Sequence, residues 1–222
     1  RKELHVSNIT EQLLRGTSKG VDAKAALALE DGTVFFGASC GAAGEAFGEI
    51  CFNTSLEGYL EVISDPSYAG QIITLTYPQI GNYGVNLRDA QSGTPALRGL
   101  VVRDMCATPS NWRSGMSVGE YLQRNGVVAI EGVDTRALVR HVRDHGAQRA
   151  IISTVDDDVE SLLAKVRASE SIVGQNLAAT VSCERPYEHT TDDVPNSVLF
   201  ALTEAPSARS EEHTSELQSP KD

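Results

Sequence analysis

Short runs of apolar residues, mostly uncharged, recur along the chain and predict β-strands. Residues 25–29 and 33–36 are two such runs on either side of an Asp31-Gly32 step. Asp-Gly supplies the positive-φ residues that a tight hairpin needs, so these two strands are predicted to pair antiparallel. Five further β-prone runs are residues 48–53, 71–77, 100–103, 127–130 and 150–153.

Apolar residues recur at helical spacing in three later segments, and each segment is preceded by a residue that can cap the N-terminus of a helix. Ser117 and Glu120 have the spacing of a capping box, and Asp134 and Asp158 precede the two following helices. Gly146 ends the helix that follows Asp134. Helices interleaved with strands after an initial hairpin predict an α/β fold of mixed α and β layers.

A fourth, short helix is predicted between the strands at 48–53 and 71–77. Thr54 or Ser55 can cap it, and the Asp65-Pro66 step ends it, because the proline ring disfavours the α conformation at the preceding residue. Its apolar face consists of Leu56, Tyr59, Leu60 and Ile63.

Four glycines, at positions 37, 41, 44 and 48, follow the predicted hairpin. A glycine-rich phosphate loop would end in Lys followed by Ser or Thr and would open a helix, and neither feature is present. These glycines are therefore predicted to form a flexible connection between strands.

Composition divides the chain into three parts and excludes several classes of protein. Residues 1–24 have mixed charge and little periodicity, which predicts a weakly ordered extension before a domain at residues 25–182. Residues 183–222 contain nine acidic and three basic side chains, so they carry most of the net charge of -11. A basic patch for nucleic acid is absent from the sequence.

Cysteine spacing and hydropathy predict the compartment. The four cysteines, Cys40, Cys51, Cys106 and Cys183, form no C-x-x-C pair, which favours reduced thiols over disulfides or a metal site. The first residues are polar, and no apolar stretch approaches the length of a membrane span. A cytoplasmic protein is predicted.

Residues 52–86, FNTSLEGYLEVISDPSYAGQIITLTYPQIGNYGVN, form the most specific pattern in the chain. Together with residues 27–37, 96–104, 110–113, 128–148 and 181–188, they resemble successive blocks of the small, glutamine-using subunit of carbamoyl-phosphate synthase, in the same order. The resemblance covers about three quarters of the chain and matches the amino-terminal domain of that family, which has a swivelling β/β/α fold.

The resemblance implies a function for the family as a whole. A cysteine of a following class I amidotransferase domain hydrolyses glutamine, and the ammonia passes to a large subunit that makes carbamoyl phosphate for arginine and pyrimidine biosynthesis. ATP and magnesium are expected on that large subunit in the heterodimer, and no cofactor is expected in this chain. The catalytic Cys, His and Glu of the amidotransferase domain have no match here, so this chain alone is predicted to be inactive.

Residue by residue, the resemblance transfers few functional positions. Ser67, in the DPS segment, is implied to contact the bound glutamine. Asn82 and Tyr83, with the neighbouring Gly84 and Asn86, can either contact a partner or hold the backbone of their own loop. Trp112 and Arg113 resemble an interaction patch for the large subunit. The alternative is that Trp112, the single tryptophan of the sequence, is a core residue.

The end of the chain leaves the family pattern after Glu188. Residues 209–220, RSEEHTSELQSP, resemble the conceptual translation of a sequencing-adapter oligonucleotide, which predicts a non-native or disordered tail and truncation before the amidotransferase domain. The alternative is a stand-alone, non-catalytic docking module for the synthase large subunit. A third hypothesis is an unrelated hydrolase that uses Ser67 or Ser55 with His141 or His145.

Overall fold

The computed structural model describes residues 24–183. The described strands are β1 (Lys24–Leu29), β2 (Val34–Ser39), β3 (Glu45–Asn53), β4 (Gln71–Leu75), β5 (Gln79–Ile80), β6 (Gly99–Val101), β7 (Asp104–Met105), β8 (Val128–Glu131) and β9 (Arg149–Ser153). The described helices are α1 (Tyr59–Ser64), α2 (Val118–Arg124), α3 (Thr135–His145), α4 (Val159–Ala168) and α5 (Leu177–Val181). The predicted extension and tail lie outside this range, apart from Lys24 and Cys183.

Seven of these strands close into a barrel in the order β1-β2-β8-β6-β4-β3-β9. The run β3, β4, β6 and β8 is parallel, with α1 and α2 as crossovers, whereas β1, β2 and β9 pair antiparallel with their neighbours. The mixed α/β class is confirmed. The sequence did not predict that the sheet closes into a barrel. Local sequence predicts where each strand lies, but not which strand it pairs with.

The interior of the barrel is apolar and receives side chains from all seven strands. Leu27, Ile72 and Ile130 are fully buried there, and Leu138 of α3 joins the same cluster. Alternate residues of one strand face inside and outside, since Ala26 and Ala28 of β1 pack instead beneath α4. Both faces of β1 are thus covered, which explains its continuous apolar sequence.

The helices cover the outer faces of the barrel. Side chains of α1 and α2, including Leu60, Ile63 and Leu122, pack with Ile73 and Leu100 of the parallel strands. On the other side, α4 packs on β1 and β9. Among residues 24–183, none of the helices is long and apolar enough to cross a membrane.

The local signals for the hairpin and for three of the helices are confirmed. Gly32 has φ +104 in the β1–β2 turn. Ser117 Oγ accepts from the backbone N–H of Glu120 at 3.2 Å. Asp134 caps α3, and the Asp158 carboxylate accepts from the N–H of Ser161 at 2.7 Å. Each of these contacts spans at most three residues, so the sequence alone contains it.

The prediction that the glycine-rich stretch is a connection between strands is wrong for Gly37 and Gly48, whereas Gly41 and Gly44 do lie in the connection between β2 and β3. Gly37 lies inside β2 and Gly48 inside β3. A methyl group on Gly41 would lie 2.5 Å from the carbonyl oxygen of Val127, and one on Gly48 would lie 2.7 Å from that of Gly70. These glycines stand where another strand or loop passes too closely for a side chain.

Candidate functional site

Ser67 lies in a tight turn between α1 and β4. Pro66–Tyr68 form one 3-10 turn, and the Asp65 carboxylate accepts from the backbone N–H of Ser67 at 2.8 Å. Asp65 has an extended backbone, which ends α1 as the Asp65-Pro66 step predicts. The Ser67 side chain is exposed, and its hydroxyl has no hydrogen-bond partner among the described residues. The turn therefore presents a free hydroxyl on a fixed backbone.

Contacts on both sides hold this turn. The Tyr68 hydroxyl accepts from the side-chain amide of Asn53, at the end of β3, at 3.0 Å. Gly70 has φ +79, and a methyl group there would lie 3.1 Å from Ile172 and from Leu177. The segment between α4 and α5 consequently lies against the turn that carries Ser67.

Two half-buried thiols, those of Cys40 and Cys51, have raised pKa values and are protonated at neutral pH. Burial raises the pKa of Cys51 to about 12, with the Glu49 carboxylate acting in the same direction, and its Sγ donates to Gln71 Oε1 at 3.5 Å. Burial likewise raises the pKa of Cys40. A thiol in this state is a poor nucleophile, because the thiolate is the reactive form.

His141 is joined to the β1–β2 hairpin rather than to a serine. Its Nε2 lies 2.6 Å from the Asp31 carboxylate, and its ring stacks on His145 with centroids 4.3 Å apart. Among the described residues, neither Ser55 nor Ser67 has a hydrogen bond to a histidine. The hydrolase hypothesis therefore lacks the nucleophile and base pairing that it needs.

A second feature is a cleft of about 420 Å³ beside α1. It lies between the N-terminal end of that helix and two loops, residues 81–86 and 109–116. The residues that line it are Glu57, Gly58, Leu60, Glu61, Tyr83, Gly84, Asn86, Asp89, Asn111 and Arg113. Two of the four predicted interface residues, Tyr83 and Arg113, thus lie in one cleft, while Asn82 and Trp112 are exposed beside it.

Tyr83 fixes one wall of the cleft by capping α1. Its hydroxyl accepts from the backbone N–H groups of Gly58 and Tyr59 at 2.8 and 3.2 Å, and the two tyrosine rings stack at 4.0 Å. The predicted cap at Thr54 or Ser55 is wrong, because a side chain from a distant loop satisfies these donors. Burial raises the pKa of Tyr83, and the charges of Glu61 and Glu57 act in the same direction.

The other wall is formed by the loop that carries Trp112. Arg113 pairs with Asp89 at 2.9 Å, and the backbone N–H of Ser110 donates to the carbonyl of Asn82 at 2.9 Å. Trp112 is 92% exposed, so the alternative of a core tryptophan is wrong. The two loops pack on each other and leave the indole in solvent.

The polar groups of the 81–86 loop also hold their own backbone. Asn86 Oδ1 accepts from the N–H of Arg88 at 3.3 Å, which caps the 3-10 turn Leu87–Asp89. The interpretation of this loop as self-supporting is therefore correct for Asn86. Whether Asn82 and Tyr83 also contact a partner stays a prediction.

The sequence matches a known family. Residues 27–152 match the family model described as the carbamoyl-phosphate synthase small chain, CPSase domain. The carbamoyl phosphate synthase small chain of Syntrophotalea carbinolica is 55% identical over 167 residues, covering 75% of this chain and 44% of that protein. The protein of the same name from Thermotoga maritima is 57% identical over 159 residues, covering 72% of this chain and 41% of that protein.

A third relative extends the match further along the chain. The carbamoyl phosphate synthase small chain of a Synechococcus strain is 47% identical over 186 residues, which cover 84% of this chain and 47% of that protein. The chain therefore spans under half the length of the curated relatives that it matches.

Proposed function

The chain belongs to the carbamoyl-phosphate synthase small-chain family, and on that premise we propose that it supplies the amino-terminal half of a glutamine site. In this proposal, an amidotransferase domain holds the catalytic cysteine, and the ammonia released from glutamine is used by a large subunit to make carbamoyl phosphate. The product serves arginine and pyrimidine synthesis in the cytoplasm. ATP and magnesium bind to the large subunit.

The observation that carries this proposal is the turn around Ser67. A free hydroxyl stands there on a backbone held by Asp65, in a chain of the carbamoyl-phosphate synthase small-chain family. A hydroxyl can both donate and accept, which suits the charged amino-acid end of glutamine or its side-chain amide. Ile172 and Leu177 lie close to Gly70, so they also support the backbone of this turn.

We expect this chain alone not to hydrolyse glutamine. The thiols of Cys40 and Cys51 are protonated at neutral pH, and among residues 24–183 neither His141 nor His145 pairs with a serine. The measurement is ammonia release from glutamine by the purified chain, with and without the large subunit, and ammonia-dependent carbamoyl phosphate synthesis serves as the positive control for that subunit. Glutamine turnover that is abolished by alkylation of a cysteine would show that the chain holds its own nucleophile.

A single substitution tests the role of Ser67. In a chimeric small chain in which residues 25–182 replace the aligned part of the Thermotoga maritima relative, Ser67→Ala should raise the KM for glutamine about tenfold. This corresponds to the loss of one hydrogen bond to a charged group, roughly 1.4 kcal/mol. Glutamine-dependent and ammonia-dependent synthesis should both be measured, because only the first should change.

Ser55→Ala is the matched control, since Ser55 is another exposed serine, and its backbone N–H, which alanine keeps, donates to Asn53 Oδ1 at 2.8 Å. It should leave the KM for glutamine unchanged. If both serine variants behave like the unsubstituted chimera, Ser67 does not contact glutamine and the proposed site loses its residue from this domain.

A further inference from the structure

The cleft beside α1 is lined by more negative than positive side chains. Three carboxylates line it, those of Glu57, Glu61 and Asp89. Asp89 is paired with Arg113 at 2.9 Å, but among the described residues no cationic side chain lies within 4 Å of the carboxylate of Glu57 or Glu61. A cleft of about 420 Å³ with two unpaired carboxylates can receive a long cationic side chain.

Three exposed apolar side chains stand next to the lining residues. Leu56 directly precedes the lining residue Glu57, Leu87 directly follows the lining residue Asn86, and Trp112 lies between Asn111 and Arg113. Their exposed fractions are 75%, 60% and 92%. Side chains of this kind around a polar depression are typical of a surface that a protein partner covers, since a small ligand within the cleft would leave them in water.

We propose that this cleft is the socket for an arginine or lysine side chain of the large subunit, with Glu57 and Glu61 as its carboxylate partners and Leu56, Leu87 and Trp112 as the surrounding apolar contacts. The proposal rests on the proposed function for the identity of the partner. Residues 184–222 of this chain contain nine acidic and three basic side chains, so their net charge has the same sign as that of the cleft and does not complement it.

The test is the affinity of the full-length chain for the large subunit at two salt concentrations. The double substitution Glu57→Lys with Glu61→Lys should weaken binding at least about tenfold at low salt, because a repulsive contact replaces an attractive one. The loss should shrink at high salt, where exposed charges are screened over about 3 Å. The neutral double substitution Glu57→Gln with Glu61→Gln should cause a smaller loss of affinity. It replaces the lysine variant in the test if that variant fails to fold.

The matched control is Asp157→Lys with Glu170→Lys, which makes the same change in net charge at two exposed carboxylates that do not line the cleft. Equal affinities of the cleft and control variants, with the unsubstituted chain still binding, would overturn the socket and leave the proposed partner in place. Tighter binding by the cleft variant would mean that a basic segment of the chain itself occupies the cleft, which also overturns the proposal. Absence of binding by the unsubstituted chain would overturn both the partner and the socket.

Discussion

Gly37→Ala should destabilise the protein by about 3 kcal/mol or more, which is expected to lower the Tm by roughly 10 °C. A methyl group on Gly37 would overlap the backbone carbonyl oxygen of Glu131 and would lie 2.9 Å from the Ile130 side chain. These atoms belong to β8, the strand that pairs with β2 to close the barrel. A backbone atom cannot turn aside as a flexible side chain can, so the seam must separate. Thermal and denaturant unfolding of the full-length chain measure the effect.

Gly93→Ala is the control for this substitution. Gly93 is exposed, its backbone φ lies outside the left-handed region, and a methyl group there would meet no atom within 4 Å. This variant should unfold within about 0.5 kcal/mol of the unsubstituted chain. If Gly37→Ala were equally stable, β2 and β8 would not approach as closely as the barrel requires, and the closed sheet would be wrong.

The elements that the sequence predicts well are those with all of their determinants close together in the chain. The Asp31-Gly32 turn, the Ser117 cap and the Asp134 cap each depend on residues no more than three positions apart. Local hydrogen bonds and backbone preferences decide such features without help from the rest of the molecule. This is why the hairpin and the later helices are found where the sequence places them.

The barrel depends on contacts that no local pattern contains. β2 pairs with β8, about ninety residues later, and the glycines that allow the strands to approach look like flexible loop residues when considered alone. The predicted cap of α1 is wrong for the same reason, because the residue that accepts from the N–H of Gly58 is Tyr83 of a distant loop. A period-two pattern predicts a strand, but it does not name the partner of that strand.

The two parts of the candidate site differ in the same way. The role of Ser67 in binding glutamine is predicted from the resemblance to a family. The structure adds that its hydroxyl is exposed on a turn held by Asp65. The cleft joins segments around Glu57, Tyr83 and Arg113, which lie far apart in the chain. Only the folded chain brings these three segments together. The sequence alone therefore does not predict that Glu57 and Glu61 line a cleft.

Trp112→Ala should weaken binding to the large subunit about thirtyfold or more, while the Tm of the chain alone stays unchanged. The indole is 92% exposed, so its removal costs the fold almost no buried area. A tryptophan that becomes buried at an interface commonly contributes 2 kcal/mol or more to affinity, which corresponds to about thirtyfold. Titration of the full-length chain with the large subunit, alongside thermal unfolding of each variant, separates the two effects.

Two further variants decide what a loss of affinity means. Trp112→Phe keeps an apolar ring and should retain part of the affinity, whereas Val173→Ala removes apolar surface from a residue that is 83% exposed elsewhere and should retain all of it. If Trp112→Ala binds as tightly as Val173→Ala, the loop that carries Trp112 is not an anchor of the interface. Because the Arg113–Asp89 pair holds this loop independently of the indole, such a result would concern the surface and not the fold.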